Sequence, residues 1–482
     1  MQRLYQWTAQ LQLHDGASAL VRSDFTAVGS LHNSPRCCSP RRLSMPSATR
    51  IKYKWIYGAE NLETYEPGGY HPVTTDQIIH NRYRITNKLG HGGYSTIWLA
   101  HDQERQQYVA LKIGMSRFDS VRREIATLRA LEKRPCSLKW DPAWMKCAVL
   151  PRVLDAFDVT GPNGVYACYT LAPIQGDLQE ALFSGMFHIP VARTLAAKLM
   201  LTVSFLHAHG VCHGDIHLQN VLVERTEPID HLSVEEYWET FGEPETEPIE
   251  REDGKPLTSN VPPVATLAWS SEKEATDLTL ENAKRLVISD FGEAFDPSSK
   301  TRLGKDSHVP LAKRAPEAFF EPDQPLSYAS DVWSLGTAIW GIIGMKNLFS
   351  DDEPQNSTVA QQIDLLGADH LPPKWKSIWQ RPQSEILVED RRPHPPEWKR
   401  EPWPPLNTAF EKFVQKYRRE EGYVPFEADE TAAILALMRG MLRFDPKERL
   451  TIEEALQSEW MVKWALPELR EAMQSDCGQS HE

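Results

Sequence analysis

Five polar residues stand out for their type and spacing: Lys112, Glu124, Asp215, Asn220 and Asp290. Asp215 and Asn220 fall in Val211-Cys-His213-Gly214-Asp215-Ile216-His217-Leu218-Gln219-Asn220-Val221, a polar stretch held between apolar flanks. Asp290 follows the apolar run Leu286-Val-Ile and opens Asp290-Phe291-Gly292. A carboxamide and a carboxylate are hard oxygen ligands of the kind Mg2+ takes. Far upstream, Leu89-Gly90-His91-Gly92-Gly93-Tyr94-Ser95-Thr96-Ile97 interrupts a strand-like pattern. Glycines let a turn close over phosphates and aim backbone N–H groups at them. Many hairpins carry such glycines, so the turn is weak on its own. It gains from Val109-Ala110-Leu111-Lys112 in the next strand, where Ala110 and Leu111 indicate a lined pocket rather than a solvated lysine. These residue types suit phosphate chemistry assisted by a divalent ion.

The elements that must position them can be read in order. Residues 83–113 alternate β-branched and aromatic positions around the glycines, as strand, turn, strand and a further strand do. Val121, Ile125, Leu128 and Leu131 recur at helical spacing over 119–132, which places Glu124 on a helix. Val165–Leu171 reads as a strand, and 190–209 as a strong amphipathic helix through Leu195, Leu199, Val203 and Leu206. The segment from Glu224 to Lys284 holds 16 Asp or Glu against five Lys or Arg, with proline pairs and little periodicity. That composition predicts a flexible acidic insert in an otherwise folded domain. Upstream of everything, Tyr65-Glu-Pro-Gly-Gly-Tyr-His-Pro72 predicts an irregular lead-in.

In this order the motifs make the chain similar to a eukaryotic protein kinase over roughly residues 82–465. Ala315-Pro316-Glu317, Asp331-Val-Trp-Ser-Leu-Gly336 and Arg449 in Phe444-Asp-Pro-Lys-Glu-Arg-Leu450 match its downstream marks. Within kinases the chain resembles the serine/arginine-protein kinases, of divergent fungal type. The Tyr-Glu-Pro-Gly-Gly-Tyr-His-Pro lead-in, the loop Gly-His-Gly-Gly-Tyr-Ser-Thr-Ile-Trp, the large spacer before Asp290 and Gln361-Gln-Ile-Asp-Leu-Leu-Gly367 carry that likeness.

The resemblance implies an α+β, bilobal fold: a β-rich small lobe over 82–175 and a mostly helical large lobe over 176–465, interrupted by the insert 225–284. Residues 51–81 would pack on it as a lead-in, and 466–482 would be a tail. It implies a serine/threonine protein kinase of the non-specific class, using ATP and Mg2+ on protein substrates, with basic Arg-Ser-rich segments as the family's preferred acceptors. Asp215 would be the catalytic base, Lys112 and Glu124 the phosphate-holding pair, and Asn220 and Asp290 the metal ligands. Leu89, Gly90, Gly92, Gly93, Ser95, Ile97 and Ala110 would line the nucleotide, with Leu171 as gatekeeper and Ala172 to Ile174 offering backbone to adenine. Glu317 and Arg449 would form a buried ion pair, and Asp331 would anchor the catalytic loop.

Three departures qualify the site. Gly214 replaces the arginine before the catalytic aspartate, so activity should not depend on a phosphorylated activation segment. His217 stands where protein kinases carry a lysine for the γ-phosphate, and Pro310 where a threonine usually bonds to that cluster. The loop His213-Gly-Asp-Ile-His is also similar to that of aminoglycoside and choline phosphotransferases, which act on small molecules. A weak or inactive kinase-fold scaffold is the other alternative. The downstream motifs and the intact Lys112, Glu124, Asp215, Asn220 and Asp290 favour an active protein kinase.

Composition bounds the partners. A net charge of −13 argues against direct nucleic-acid binding. No run of about 18 apolar residues exists to suggest a membrane span. Seven cysteines lack metal or CxxC spacing, which fits reduced thiols and an intracellular site, in cytoplasm or nucleus. Residues 1–50 carry six Arg against two Asp among many serines, the composition of a disordered tail or of a mitochondrial presequence. Asp351, Asp352, Glu353, Asp364 and Asp369 could form an acidic docking face, but Lys374, Lys376, Arg391 and Arg392 lie among them. Mixed charge is more often a solvated surface. Nothing indicates an oligomer, and a monomer is the default expectation.

Overall fold

A computed structural model describes residues 51–134, 150–183, 185–269, 274–379 and 401–474. The readings made of residues 1–50, of Arg391 and Arg392 and of 475–482 fall outside these.

The alternating segments become an antiparallel sheet. Its strands are β1 (Ile78–Ile79), β2 (Tyr83–His91), β3 (Ser95–Asp102), β4 (Gln107–Gly114), β5 (Asp155–Gly161) and β6 (Gly164–Leu171), ordered β1-β2-β3-β4-β6-β5. One face buries Tyr83, Ile85, Trp98, Leu111, Ile113, Tyr166 and Cys168 together. Helix α1 (Ser120–Glu132) buries Val121, Leu128 and Leu131, and Glu124 with them. Arg82 fastens the sheet at one end, its guanidinium bidentate on Asp102 at 2.6 and 2.7 Å and reaching Asp155 at 3.3 Å.

The large lobe begins at β7 (Ile174–Asp177), which pairs with β8 (Val221–Glu224) and, beyond it, β11 (Leu286–Ile288). Between them run the short α2 (Leu178–Ala181) and the long α3 (Ile189–Ala208). The leucine pattern of α3 is present, but the helix is buried on nearly every side. By length and hydropathy it could cross a membrane, yet 83% of that window is buried inside the fold, so it is the central core helix. Against it pack α6 (Tyr328–Ile343) and α7 (Leu466–Gln474). Helix α7 corrects one expectation: 466–474 is no tail, because Leu469 and Ala472 are buried in the core. Glu317 and Arg449 form the expected buried pair, two parallel contacts of 2.9 Å.

The insert is the larger correction. Instead of a flexible spacer, its described residues fold as α4 (Val234–Phe241), a hairpin of β9 (Thr246–Pro248) and β10 (Val264–Thr266), and α5 (Leu280–Ala283). It leaves the large lobe at β8 and climbs onto the small lobe. There Ile229 and Tyr237 pack on Leu99 and Tyr108, and Ile249, Val261 and Ala265 join Tyr53, Ile56, Leu62, Tyr65 and Tyr70 of the lead-in. Polar contacts fix the seat: Asp230 accepts from Tyr108 N at 2.7 Å, Trp238 Nε1 donates to Thr86 O at 3.0 Å, and Trp269 N donates to Lys88 O at 2.8 Å. The acidic composition concealed these few apolar anchors, whose partners lie on other elements.

His71, beside this seam, is buried with its ring tilted against Tyr166 at 4.6 Å, and Nδ1 lacks a partner among the described residues. Burial pulls its pKa from 6.5 to about 4. The unfolded chain therefore takes a proton that the folded chain refuses between those values, and stability present above pH 6.5 is lost as pH falls towards 4. His71 should account for up to about 3 kcal/mol of that loss. Denaturant titrations at several pH values should show a shallower fall for His71→Phe than for wild type. Equal slopes would exclude this origin.

Candidate active site

The site is assembled from both lobes around one carboxylate. Glu124 on α1 takes Lys112 Nζ on Oε2 at 2.7 Å and the Phe291 backbone N–H on Oε1 at 2.9 Å. Lys112 also reaches Asp290 Oδ1 at 3.2 Å. Burial opposes the lysine's charge, but Asp290 and Glu124 outweigh it and hold the ammonium above its ordinary pKa. Glu124 is pushed up by burial, against the pull of Lys112. Asp290 is also opposed by burial, yet Lys112, the Gly292 N–H and His213 hold it below the ordinary carboxylate range. Its backbone is left-handed, φ 63°, which turns the carboxylate back onto Gly292 N at 3.3 Å.

The catalytic-loop residues are gathered between β8 and α6. Asp331, near the start of α6, accepts from His213 N at 2.7 Å and Gly214 N at 2.9 Å, with His207 Nε2 at 3.1 Å. Two backbone donors on one buried carboxylate fix the loop's path. Burial pulls His213 below its ordinary pKa, against Asp331, Asp215 and Asp290. Its Nε2 faces Ser289 O at 3.0 Å, its Nδ1 accepts from Asp215 N at 3.3 Å, and its ring meets Phe291 edge-on at 4.9 Å.

Asp215 is thereby set with one oxygen engaged and one not. Oδ2 lies 3.3 Å from Asn220 Nδ2 and 3.5 Å from His217 Nε2. Oδ1 is buried and has no partner among the described residues. Asn220 Nδ2 donates to Asp215 O at 2.9 Å and meets His217 Nε2 at 3.0 Å, so its amide oxygen is the atom left to ligate. His217 therefore closes the cluster that a lysine and threonine would otherwise share. Pro310 has no donor to contribute.

Across the cleft, β2 and β3 place Leu89, Gly90, Gly92, Gly93, Ser95 and Ile97 in one hairpin. A side chain added at Gly90, Gly92 or Gly93 would meet nothing within 4 Å, which leaves open space at the turn. Ile97 pairs with Lys112 and Leu99 with Ala110.

The gatekeeper expectation needs correcting. Lys112 pairs with Tyr169, and Ala110 with Leu171. Tyr169 is buried directly opposite Lys112, so it, two residues before Leu171, closes the back of the site. A shift of two keeps the same sheet face, so the hydrophobic pattern does not separate the two positions. Ala172 and Pro173 form the link between β6 and β7, and Ile174 opens β7 opposite Glu224.

The activation segment holds itself. Glu293 binds Arg302 at 2.6 Å and His308 Nδ1 at 2.9 Å, while Arg302 also reaches Glu293 O at 3.2 Å. The hydrogen bond to Glu293 raises His308 above its ordinary pKa. These residues gave no sequence signal, being isolated polar positions that only the folded segment brings together. On the expected acidic docking face, Lys313 pairs with Asp351 and Lys376 with Asp369, while Asp364 accepts from Trp403 N.

Comparison with known proteins agrees with this geometry. The protein kinase domain family model matches residues 83–230 and 276–461, omitting most of the insert. A serine/threonine protein kinase of Aspergillus fumigatus is 25% identical over 418 residues, covering 84% of this chain and 90% of that one. The serine/threonine-protein kinase SRPK of Physarum polycephalum is 24% identical over 425 residues, covering 84% and 91%. A solved kinase domain superposes with a TM-score of 0.51 at 16% identity, covering 81% of this chain and 98% of that one, and so shares the fold.

Gly214 tests the self-held segment. Its φ is +78°, and a Cβ there would lie 2.6 Å from Glu293 O. Gly214→Ala should cost about 1–3 kcal/mol and lower the melting temperature. Gly214→Arg should lose activity too, although it restores the family's usual residue; a gain in activity would contradict this. Phosphatase treatment of the wild-type protein should leave its activity unchanged.

Proposed function

The chain belongs to the protein kinase family, and from that premise we propose that it transfers the γ-phosphoryl group of ATP to serine or threonine hydroxyls through Asp215. The observation that carries this is the buried Oδ1 of Asp215, without a partner among the described residues while Oδ2 and the backbone carbonyl of the same residue are engaged by Asn220. A hydroxyl is the group that completes it: it would donate to Oδ1 and pass its proton there as the oxygen attacks phosphorus.

The remaining residues position and neutralise. Lys112, locked by Glu124, presents a cation to the α and β phosphates. The open turn at Gly90, Gly92 and Gly93 would accept the phosphate chain under backbone N–H groups. Asn220 and Asp290 fit a divalent ion, since one offers an amide oxygen and the other a carboxylate kept ionised; Mg2+ suits such oxygen ligands. When bound, that ion offsets the negative charge on the phosphates. His217, beside both Asp215 and Asn220, takes the place of the usual lysine and would donate to the transferring group.

The acceptor is read more finely from the serine/arginine-protein kinase resemblance. We take it to be a serine in an Arg-Ser-rich protein segment. A relative named SRPK, aligned over most of its length, supports that reading. The small-molecule alternative has little support beside the buried Glu317–Arg449 pair and relatives named as protein kinases.

An assay with Mg-ATP should show phosphate transfer to an Arg-Ser peptide above a generic basic protein, and none to an amino sugar. Asp215→Asn should lower kcat by about 10²–10⁴; an Asp215→Asn enzyme as active as wild type would remove Asp215 from the role of base. His217→Lys should retain most activity, while His217→Ala should lose about tenfold, the scale of one hydrogen bond to a charged group. Equal rates for the two would show that His217 does not act on the phosphate.

A further inference from the structure

The lead-in ahead of the kinase core plays no part in the reading above, yet it touches the glycine-rich hairpin directly. The Tyr70 hydroxyl donates to the carbonyl of Gly92 at 2.7 Å. Tyr70 is buried, and the turn that delivers it is fixed on both sides. At Gly69 a Cβ would lie 1.7 Å from Thr64 O, so no other residue closes that turn. Gly68 N donates to Asn163 O at 2.7 Å, and Arg117 N donates to Gly68 O at 2.8 Å.

A second grip lies at the root of the same hairpin. Lys88, two residues before Gly90, forms an ion pair with Glu60 of the lead-in, and Glu60 also accepts from the Tyr65 hydroxyl. The Lys88 and Glu60 side chains are 0% and 3% exposed, so neither charge has water as an alternative partner. Tyr65 and Tyr70 pack ring to ring at 5.6 Å. The lead-in thus holds the hairpin at its base through Lys88 and at its tip through Gly92.

We propose that Tyr70 is a positioning residue for ATP, setting the direction of the phosphate-facing N–H at the tip of the glycine-rich hairpin. In a planar trans peptide the carbonyl of one residue and the N–H of the next point in opposite directions. A hydrogen bond that fixes Gly92 O therefore aims Gly93 N–H away from the lead-in. Three glycines otherwise leave the turn free to sample many backbone states, and ordering them on the nucleotide opposes binding. Tyr70 removes part of that freedom in advance, a preorganising effect that strengthens ATP binding without touching the acceptor. This rests on the reading that the hairpin covers the phosphates of ATP.

Tyr70→Phe in the full chain deletes the hydrogen bond and keeps the ring. Steady-state kinetics with ATP and peptide varied separately should show the KM for ATP rising about three- to tenfold, the scale of one hydrogen bond. The kcat should stay within about twofold, and the KM for peptide and the melting temperature should not move. Calorimetric ATP affinity should fall by the same factor. An unchanged KM and affinity for ATP would overturn the proposal, as would an equal rise in the KM for ATP and for peptide, which would mean general loosening. Failure of the wild-type protein to bind ATP would overturn the underlying reading as well, and is distinguished by the calorimetry.

Discussion

The active architecture depends on the two oxygens of Glu124. One neutralises Lys112 from β4, and the other takes the backbone N–H of Phe291 from beyond β11. A buried carboxylate must be fully paired, because leaving one charge or lone pair unmet in the interior costs several kcal/mol. That requirement forces a small-lobe strand, the α1 helix and a large-lobe turn into one arrangement. Asp290 is then within reach of Lys112, and His213 packs against Phe291, so the catalytic loop inherits its place from the same carboxylate.

Around this centre, segments that look peripheral stiffen the small lobe. The insert reaches it with the buried Ile229 and Tyr237 and with hydrogen bonds to the carbonyls of Thr86 and Lys88, and it buries Ile249, Val261 and Ala265 against the lead-in. The lead-in meets the insert along the same surface and adds the buried Lys88–Glu60 pair. Neither segment has a core of its own. The insert packs Ile229 and Tyr237 on Leu99 and Tyr108 of the sheet, while lead-in and insert order each other around Tyr53, Tyr65, Tyr70, Ile249 and Val261.

The large lobe solves a missing interaction in a related way. With Gly214 before Asp215, no loop cation is available to order the activation segment, and the segment supplies its own through Arg302, Glu293 and His308. Gly214 is also required by the geometry, since its carbon would otherwise strike Glu293 O. The loss of the arginine and the approach of Glu293 belong to one solution. His217 is a parallel case, an imidazole bridging Asp215 and Asn220 where a lysine is usual.

Much of this was legible in the sequence. Lys112, Glu124, Asp215, Asn220 and Asp290 sit in locally coded elements, a strand, a helix and two flanked loops, so their spacing along the chain was enough to single them out, and the fold brings them together. The buried Glu317–Arg449 pair and the anchoring by Asp331 were equally readable, because each belongs to a compact motif. What the chain did not disclose depends on neighbours distant in sequence. Tyr169 and Leu171 share a face of β6, and only the register against Lys112 separates them. The insert carried 16 acidic residues that spoke for flexibility, while its order comes from a few apolar contacts made on another lobe. Local composition and periodicity fix elements and motifs, since backbone propensity and side-chain spacing are local quantities. Which polar atom meets which, at Tyr70, Gly92 and Glu293, is decided by close packing between elements, and that exists only once the chain has folded.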